Sequence, residues 1–172
     1  MSGSERMTGA LMEKILYRVY SSRRASISLK IISHASVLLS VFAFGVLLVT
    51  SFLDDPYLAL KISIAGAVPF VTVTVLRRLI NAPRPYELIS FYKEAPKNKK
   101  GCSFPSRHVF SCFTVAVLSY VLSPWLTLAV AILGIALAVS RVLLGIHFIR
   151  DVVCGSLIGI ISGLIGLVLI VF

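Results

Sequence analysis

Residues 140–151 read SRVLLGIHFIRD and set Arg141, His147, Arg150 and Asp151 between two long apolar runs. An ionisable side chain inside a bilayer costs roughly 3 kcal/mol or more unless it is paired or wet, so such groups are functional candidates from the outset. His147 and Asp151 stand at i and i+4. On a helix they share a face, and the carboxylate can hold one imidazole nitrogen while the other stays free to attack. Two distant stretches carry the complementary chemistry. RRLINAPRP (77–85) holds Arg77, Arg78 and Arg84, and FPSRH (104–108) holds Ser106, Arg107 and His108. The planar guanidinium fork matches pairs of phosphate oxygens. Ser106 follows a proline at a helix start, where free backbone N–H groups also face an anion. His108 is placed to give a proton to a leaving oxygen. The set suits an anionic substrate and nucleophilic chemistry by an imidazole. The competing reading is a cationic collar that binds lipid headgroups at the membrane surface. It accounts for the arginines but requires neither the two histidines nor the aspartate.

These groups need elements that bring them to one place. The chain is 58% hydrophobic with a mean hydropathy of +0.95, against about 45–50% apolar residues in soluble domains. The excess falls in blocks long enough to cross a bilayer. Spans are expected over roughly 31–53, 57–79, 106–123, 125–144 and 149–172, broken by Asp54-Asp55-Pro56, the polar stretch 80–104, Ser123-Pro124 and the 140–153 junction. The expected fold is an all-α polytopic membrane helix bundle of about five transmembrane helices. An amphipathic interfacial helix over 7–24 precedes them, with Leu11, Ile15 and Val19 on one face and Glu13, Lys14 and Arg18 between them. The opening MSGSERMTGA lacks the pattern of a secretory signal peptide, so the first apolar block is expected to stay as a helix. The chain reads as a single domain over 1–172, with a basic N-terminal segment at 1–30 and a motif-bearing core at 77–151.

The topology puts the N-terminus, the 80–104 stretch and the 140–153 junction on one membrane face. That face carries every Lys and Arg except Lys61, out of 17 basic residues and a formal charge of +10. Asp54 and Asp55 mark the other face. Positive-inside bias places the basic face in the cytoplasm. Nucleic acid is excluded as a partner because no soluble domain remains outside the spans; the partners are the bilayer and a lipid. Oligomeric state is not legible. Cys102, Cys112 and Cys154 have no CxxC spacing and an odd count, so no disulfide framework is expected. Cys112 follows His108 by four residues, a helical ligand spacing, but further ligands are lacking and no metal is expected. Gly155, Gly159 and Gly163 form a GxxxGxxxG ladder that predicts close helix packing in the last span. In the stretch 86–104, Leu88, Ile89, Phe91 and Tyr92 suit an interfacial lid or an ordinary interfacial loop, and Lys97, Lys99 and Lys100 suit anionic headgroups.

Arg77-x6-Arg84-Pro85, then Pro105-Ser106-Arg107-His108, then Ser140-Arg141-x5-His147-x3-Asp151 resembles the three-part signature of the type 2 phosphatidic acid phosphatase (PAP2) superfamily, whose usual form is KxxxxxxRP, PSGH, SRxxxxxHxxxD. The resemblance implies a membrane phosphatase that acts on a lipid phosphate or diphosphate without a metal or other cofactor. It implies His147 as nucleophile through a phosphohistidine, Asp151 as its orienter and His108 as proton donor. Arg77, Arg84 and Arg141 would hold phosphoryl oxygens, with Ser106 and the backbone of Arg107 assisting. Two positions depart from the usual form. Arg77 stands for lysine and trades a point donor for a fork. Arg107 stands for glycine; it keeps the backbone N–H and adds charge, to contact a second phosphate or to point at headgroups. Relatives commonly have six spans, and the 7–24 segment stands where a first span would be. Many bacterial relatives face outward and recycle undecaprenyl diphosphate, whereas a cytoplasmic face favours phosphatidylglycerophosphate, phosphatidate or a prenyl-linked sugar phosphate. The alternatives are a lipid phosphotransferase with the same intermediate and a non-catalytic lipid-binding membrane protein.

Overall fold

Caps written into the sequence divide the helices. The computed structural model describes residues 3–88 and 100–171, with side chains from 12 to 88 and 100 to 170. The helices are α1 (Gly3–Tyr20), α2 (Arg23–Asp54), α3 (Pro56–Ile80), α4 (Pro85–Leu88), α5 (Arg107–Leu118), α6 (Pro124–Leu143) and α7 (Ile149–Val171), and a 3₁₀ turn (Ser119–Val121) extends α5. No strand occurs among the described residues. Asp55 caps α3 by accepting the Tyr57 N–H at 2.9 Å, and Ser123 caps α6 by accepting the Trp125 N–H at 3.2 Å; each is followed by proline at the first helical position. Asn81 ends α3 in the left-handed region, at φ 43°, and donates its N–H to Arg77 C=O.

Helices α2, α3, α6 and α7 are each long and apolar enough to cross a membrane. The chain is thus a multi-pass membrane protein. The span expected at 106–123 is shorter than the others. Helix α5 has 12 residues and rises only about 18 Å. It lies inside the bundle against α7, α6, α3 and α2. Val109, Phe110, Cys112, Ala116 and Leu118 are all buried, so protein rather than lipid surrounds it.

The outer helices invert the pattern of a soluble protein. The buried face of α2 is Ser26, Ser33, Ser36, Ser40, Ala43, Leu47 and Ser51, while Leu38, Val41, Phe42, Val49 and Phe52 point outward. Small residues let backbones approach where lipid supplies no hydrophobic contrast. The glycine ladder of α7 does the same against α5. A Cβ on Gly155 would lie 2.7 Å from the Ser106 carbonyl oxygen, and one on Gly159 only 2.4 Å from that of Phe110.

The expected amphipathic helix is present as α1, but it ends at Tyr20, and Arg23 and Arg24 begin α2. Among its described side chains Met12 and Leu16 are buried, while Ile15 and Val19 are half-buried and Glu13, Lys14, Tyr17 and Arg18 are exposed; the side chain of Leu11 lies outside those described. That face seats on protein as well as facing the interface. Leu16 packs on Gly145 in the α6–α7 junction, and the Tyr20 hydroxyl donates to Leu144 C=O at 3.4 Å.

Candidate active site

The α6–α7 junction is a turn, not a continuous helix. Helix α6 stops at Leu143, Gly145 takes φ 65°, and the Ile146 and His147 N–H groups fold back on Arg141 C=O at 3.0 and 3.3 Å. A positive φ at this tight turn suits glycine. His147 therefore lies two residues before α7 rather than on a helix with Asp151, which corrects the expected i, i+4 face. The pair still meets, because Asp151 occupies the third position of α7 and reaches back. Its Oδ2 accepts the Phe148 N–H at 3.0 Å, in the manner of a capping box, and lies 3.6 Å from His147 Nδ1.

Ser103 bridges what that distance leaves open. Its hydroxyl donates to Asp151 Oδ2 at 2.5 Å and lies 3.3 Å from His147 Nδ1, so it can accept the Nδ1–H proton. His147 is 1% exposed and Asp151 fully buried. Both partners engage Nδ1, which leaves Nε2 as the nitrogen available for chemistry. Burial lowers the His147 pKa below the ordinary imidazole value; the Asp151 hydrogen bond pulls the other way, and Arg84 and Arg77 add to the lowering. The lowering favours the neutral imidazole, the form a nucleophile needs.

A loop stapled across the bundle forms the cationic wall. Buried Arg77, in the last turn of α3, donates to Cys102 C=O, and Arg84 Nε donates to Gly101 C=O at 2.9 Å. Asn81 Oδ1 accepts the Cys102 N–H at 3.2 Å, Ala82 C=O accepts the Ser103 N–H at 2.9 Å, and Glu87 Oε1 accepts the Gly101 and Arg84 N–H groups at 2.7 and 3.1 Å. The Ser106 N–H donates to Asp151 C=O at 2.9 Å, locking the start of α5 onto α7. Ser106 Oγ and Arg141 Nε are buried and have no hydrogen-bond partner among the described residues. Arg77 lies within electrostatic range of Arg84, Arg107 and Asp151, Arg141 of Arg84, and His108 of Arg141, Arg107, His147 and Arg77. Among the described residues no carboxylate forms an ion pair with Arg77, Arg84, Arg107 or Arg141. Like charges held together without counter-ions make a strong anion site.

His108 and Arg107, in the first turn of α5, face a different environment. Both line a cavity of about 570 Å³ between α2, α3 and α5, walled mainly by apolar side chains such as Val37, Phe44, Ala67 and Phe70. The Arg107 guanidinium lies over the Phe70 ring, 5.3 Å from its centroid. His147, Arg77, Arg84 and Arg141 do not line this cavity.

The structure thus brings together all eight residues singled out from sequence: His147, His108, Asp151, Arg77, Arg84, Ser106, Arg107 and Arg141. Arg78 and Arg150 stay outside. Arg78 is exposed on α3, and Arg150, 68% exposed, stacks on Phe148 and reaches Asp151 Oδ1 at 3.6 Å. Cys112 is not paired with His108: its thiol engages Ser40 Oγ at 2.8 Å and Val130 C=O at 3.6 Å. Ile89, Phe91, Tyr92, Lys97 and Lys99 of the expected lid lie outside the described residues. Sequence reasoning missed Ser103 and Asn81. The only hint was their closeness to the arginine and PSRH blocks.

Comparison with known proteins fits this geometry. The PAP2 superfamily profile matches residues 56–171. A curated relative, the bacitracin transport permease protein BcrC of Bacillus licheniformis, is 26% identical over 108 residues, which span 59% of this chain and 52% of the relative. The match thus covers about half the length of that relative. The crystal structure of Aquifex aeolicus LpxE aligns with a TM-score of 0.68 at 25% identity, over 92% of this chain and 93% of that one. The transmembrane PAP2 type phosphatidylglycerolphosphate phosphatase of Bacillus subtilis aligns with a TM-score of 0.75 at 19% identity, over 96% and 85%, a likeness of fold.

Proposed function

The chain belongs to the PAP2 superfamily, and on that premise we propose that it is a metal-independent membrane phosphatase hydrolysing a lipid phosphate or diphosphate through a phosphohistidine. The observation that carries this is a buried imidazole with Nδ1 engaged by Ser103 and Asp151, set among arginines that have no carboxylate ion-pair partner among the described residues. The arginines neutralise phosphoryl charge, a task a metal performs elsewhere.

His147 Nε2 attacks phosphorus, an N–P bond forms, and the P–O bond to the lipid breaks. His108 gives its proton to the departing oxygen. Water then attacks the phosphohistidine, yields its proton to His108, and inorganic phosphate leaves. Arg77, Arg84 and Arg141 hold the equatorial oxygens, where transition-state charge accumulates. Ser106 Oγ and the backbone N–H of Arg107 assist. Asp151 stabilises the charge that His147 acquires. The lipid tail lies in the apolar cavity beyond His108. The site faces the membrane side that carries the basic residues, which charge bias assigns to the cytoplasm.

The test is phosphate release by the detergent-solubilised protein with EDTA present. The panel is phosphatidate, phosphatidylglycerophosphate and undecaprenyl diphosphate, with and without an added alcohol. Release by the wild type and background release by His147→Ala support the reading. Persistent activity in His147→Ala overturns the nucleophile, and phosphorylated alcohol as the main product makes the protein a transferase.

A further inference from the structure

The arginine at the usual glycine position lies within electrostatic range of Arg77 but differs from the other arginines in what it lines. Arg107 is the only one of the clustered cations that shares the 570 Å³ cavity with His108. The proton donor must face the oxygen that leaves, so this cavity is the leaving-group side. Arg107 is steadied there by the Phe70 ring on the opposite wall, and no described carboxylate pairs with it. One turn along α5, at i+4 on the same face, Ser111 lines the same cavity with its Oγ buried and, among the described residues, without a hydrogen-bond partner. The rest of the wall is largely apolar. A cation and a buried hydroxyl therefore line a largely apolar cavity beside the donor, which Arg77, Arg84 and Arg141 do not line.

We propose that Arg107 and Ser111 form a binding subsite for an anionic leaving group, so that the preferred substrate is a lipid diphosphate. This deepens the phosphatase reading and rests on it. The terminal phosphoryl group passes to His147 Nε2, the P–O bond to the bridging oxygen breaks, and that oxygen takes the His108 proton. The leaving group is then a lipid monophosphate, whose charge grows as the bond breaks. Arg107 meets that growing charge and Ser111 donates to one of its oxygens, so both act more strongly in the transition state than in the bound substrate. A lipid monophosphate substrate releases a neutral alcohol, which carries no phosphate for either residue to hold.

The test compares farnesyl diphosphate with farnesyl monophosphate, which share one tail, using the full-length protein in detergent. The readout is the ratio of their kcat/KM values. The wild type is expected to favour the diphosphate. R107G should lower the ratio about 10- to 100-fold, the factor for one charge-assisted hydrogen bond. R107K should keep part of the preference, and Ser111→Ala should lower the ratio about 3- to 10-fold. R107Q retains the stem over Phe70 and must shift the ratio like R107G; if only R107G shifts it, packing rather than charge is at work. Release from both substrates with an unchanged ratio in R107G overturns this inference alone. Release from neither by the wild type overturns the phosphatase reading and the subsite with it.

Discussion

The two histidines stand in opposite surroundings. His147 is buried, its Nδ1 fixed by Ser103 and Asp151 on a turn tied to α5 and α7. His108 opens on a mostly apolar cavity where, among the described residues, no carboxylate pairs with Arg107 and no hydrogen-bond partner meets Ser111 Oγ. One half is organised before substrate arrives, and the other is shaped to be completed by it. Attack demands a fixed geometry that does not depend on the substrate. The leaving group is where substrates differ, and there the protein leaves groups to be satisfied.

The contrast breaks most visibly in paired variants. His147→Ala should lose at least about a thousandfold in kcat whatever the leaving group. His108→Ala should lose about 10²- to 10⁴-fold on an alkyl phosphate and far less on p-nitrophenyl phosphate, whose leaving oxygen needs no proton. Equal losses on both substrates would remove the division of roles. Asp151→Asn keeps the shape and should cost about 100-fold or more in kcat.

The pH profile sharpens the nucleophile half. A base with a lowered pKa stays neutral to lower pH, so kcat/KM should hold below the ordinary imidazole value near 6.5. It should fall about tenfold per pH unit only below the depressed value. Asp151 raises the His147 pKa, so Asp151→Asn should move the acid limb further down. A limb above pH 7 in the wild type would contradict the burial argument.

Ser103→Ala removes a bridge and leaves the direct His147–Asp151 approach, so a loss of about 3- to 10-fold in kcat is expected with KM little changed. The smallest effect belongs to the open half. Ala67→Phe should narrow the cavity and raise KM about fourfold for each tail methylene excluded, at ~0.8 kcal/mol each. A short-chain substrate should be spared.

What was legible in the sequence follows from range. The arginine, PSRH and SRxxxxxHxxxD blocks announce themselves because charge near a bilayer is costly and their spacing is regular. The fold class and most helix boundaries follow from apolar runs ended by Asp-Pro and Ser-Pro caps. The glycine ladder foretold close packing of the last span, and α5 is the helix it meets. Ser103 and Asn81 stayed hidden because each acts by closing a loop onto a segment elsewhere in the chain, and a serine or asparagine in a polar stretch carries no such mark. His147 leaves the helix because Gly145 turns the chain, which an i, i+4 count does not register. The short α5 was read as a full span because burial in protein and burial in lipid look alike in an apolar run. The wall of α1 was off by one position because Met12 and Leu16 meet protein, whereas a surface-helix reading weighs only lipid.

The central claim is that His147 carries the phosphoryl group. Its most direct test is rapid quenching of turnover with a ³²P-labelled lipid diphosphate, followed by mapping of the labelled residue. The account predicts label on His147 that is stable in base and lost in acid, and no label on His147→Ala protein. Label on another residue, or label that persists in His147→Ala, would contradict it.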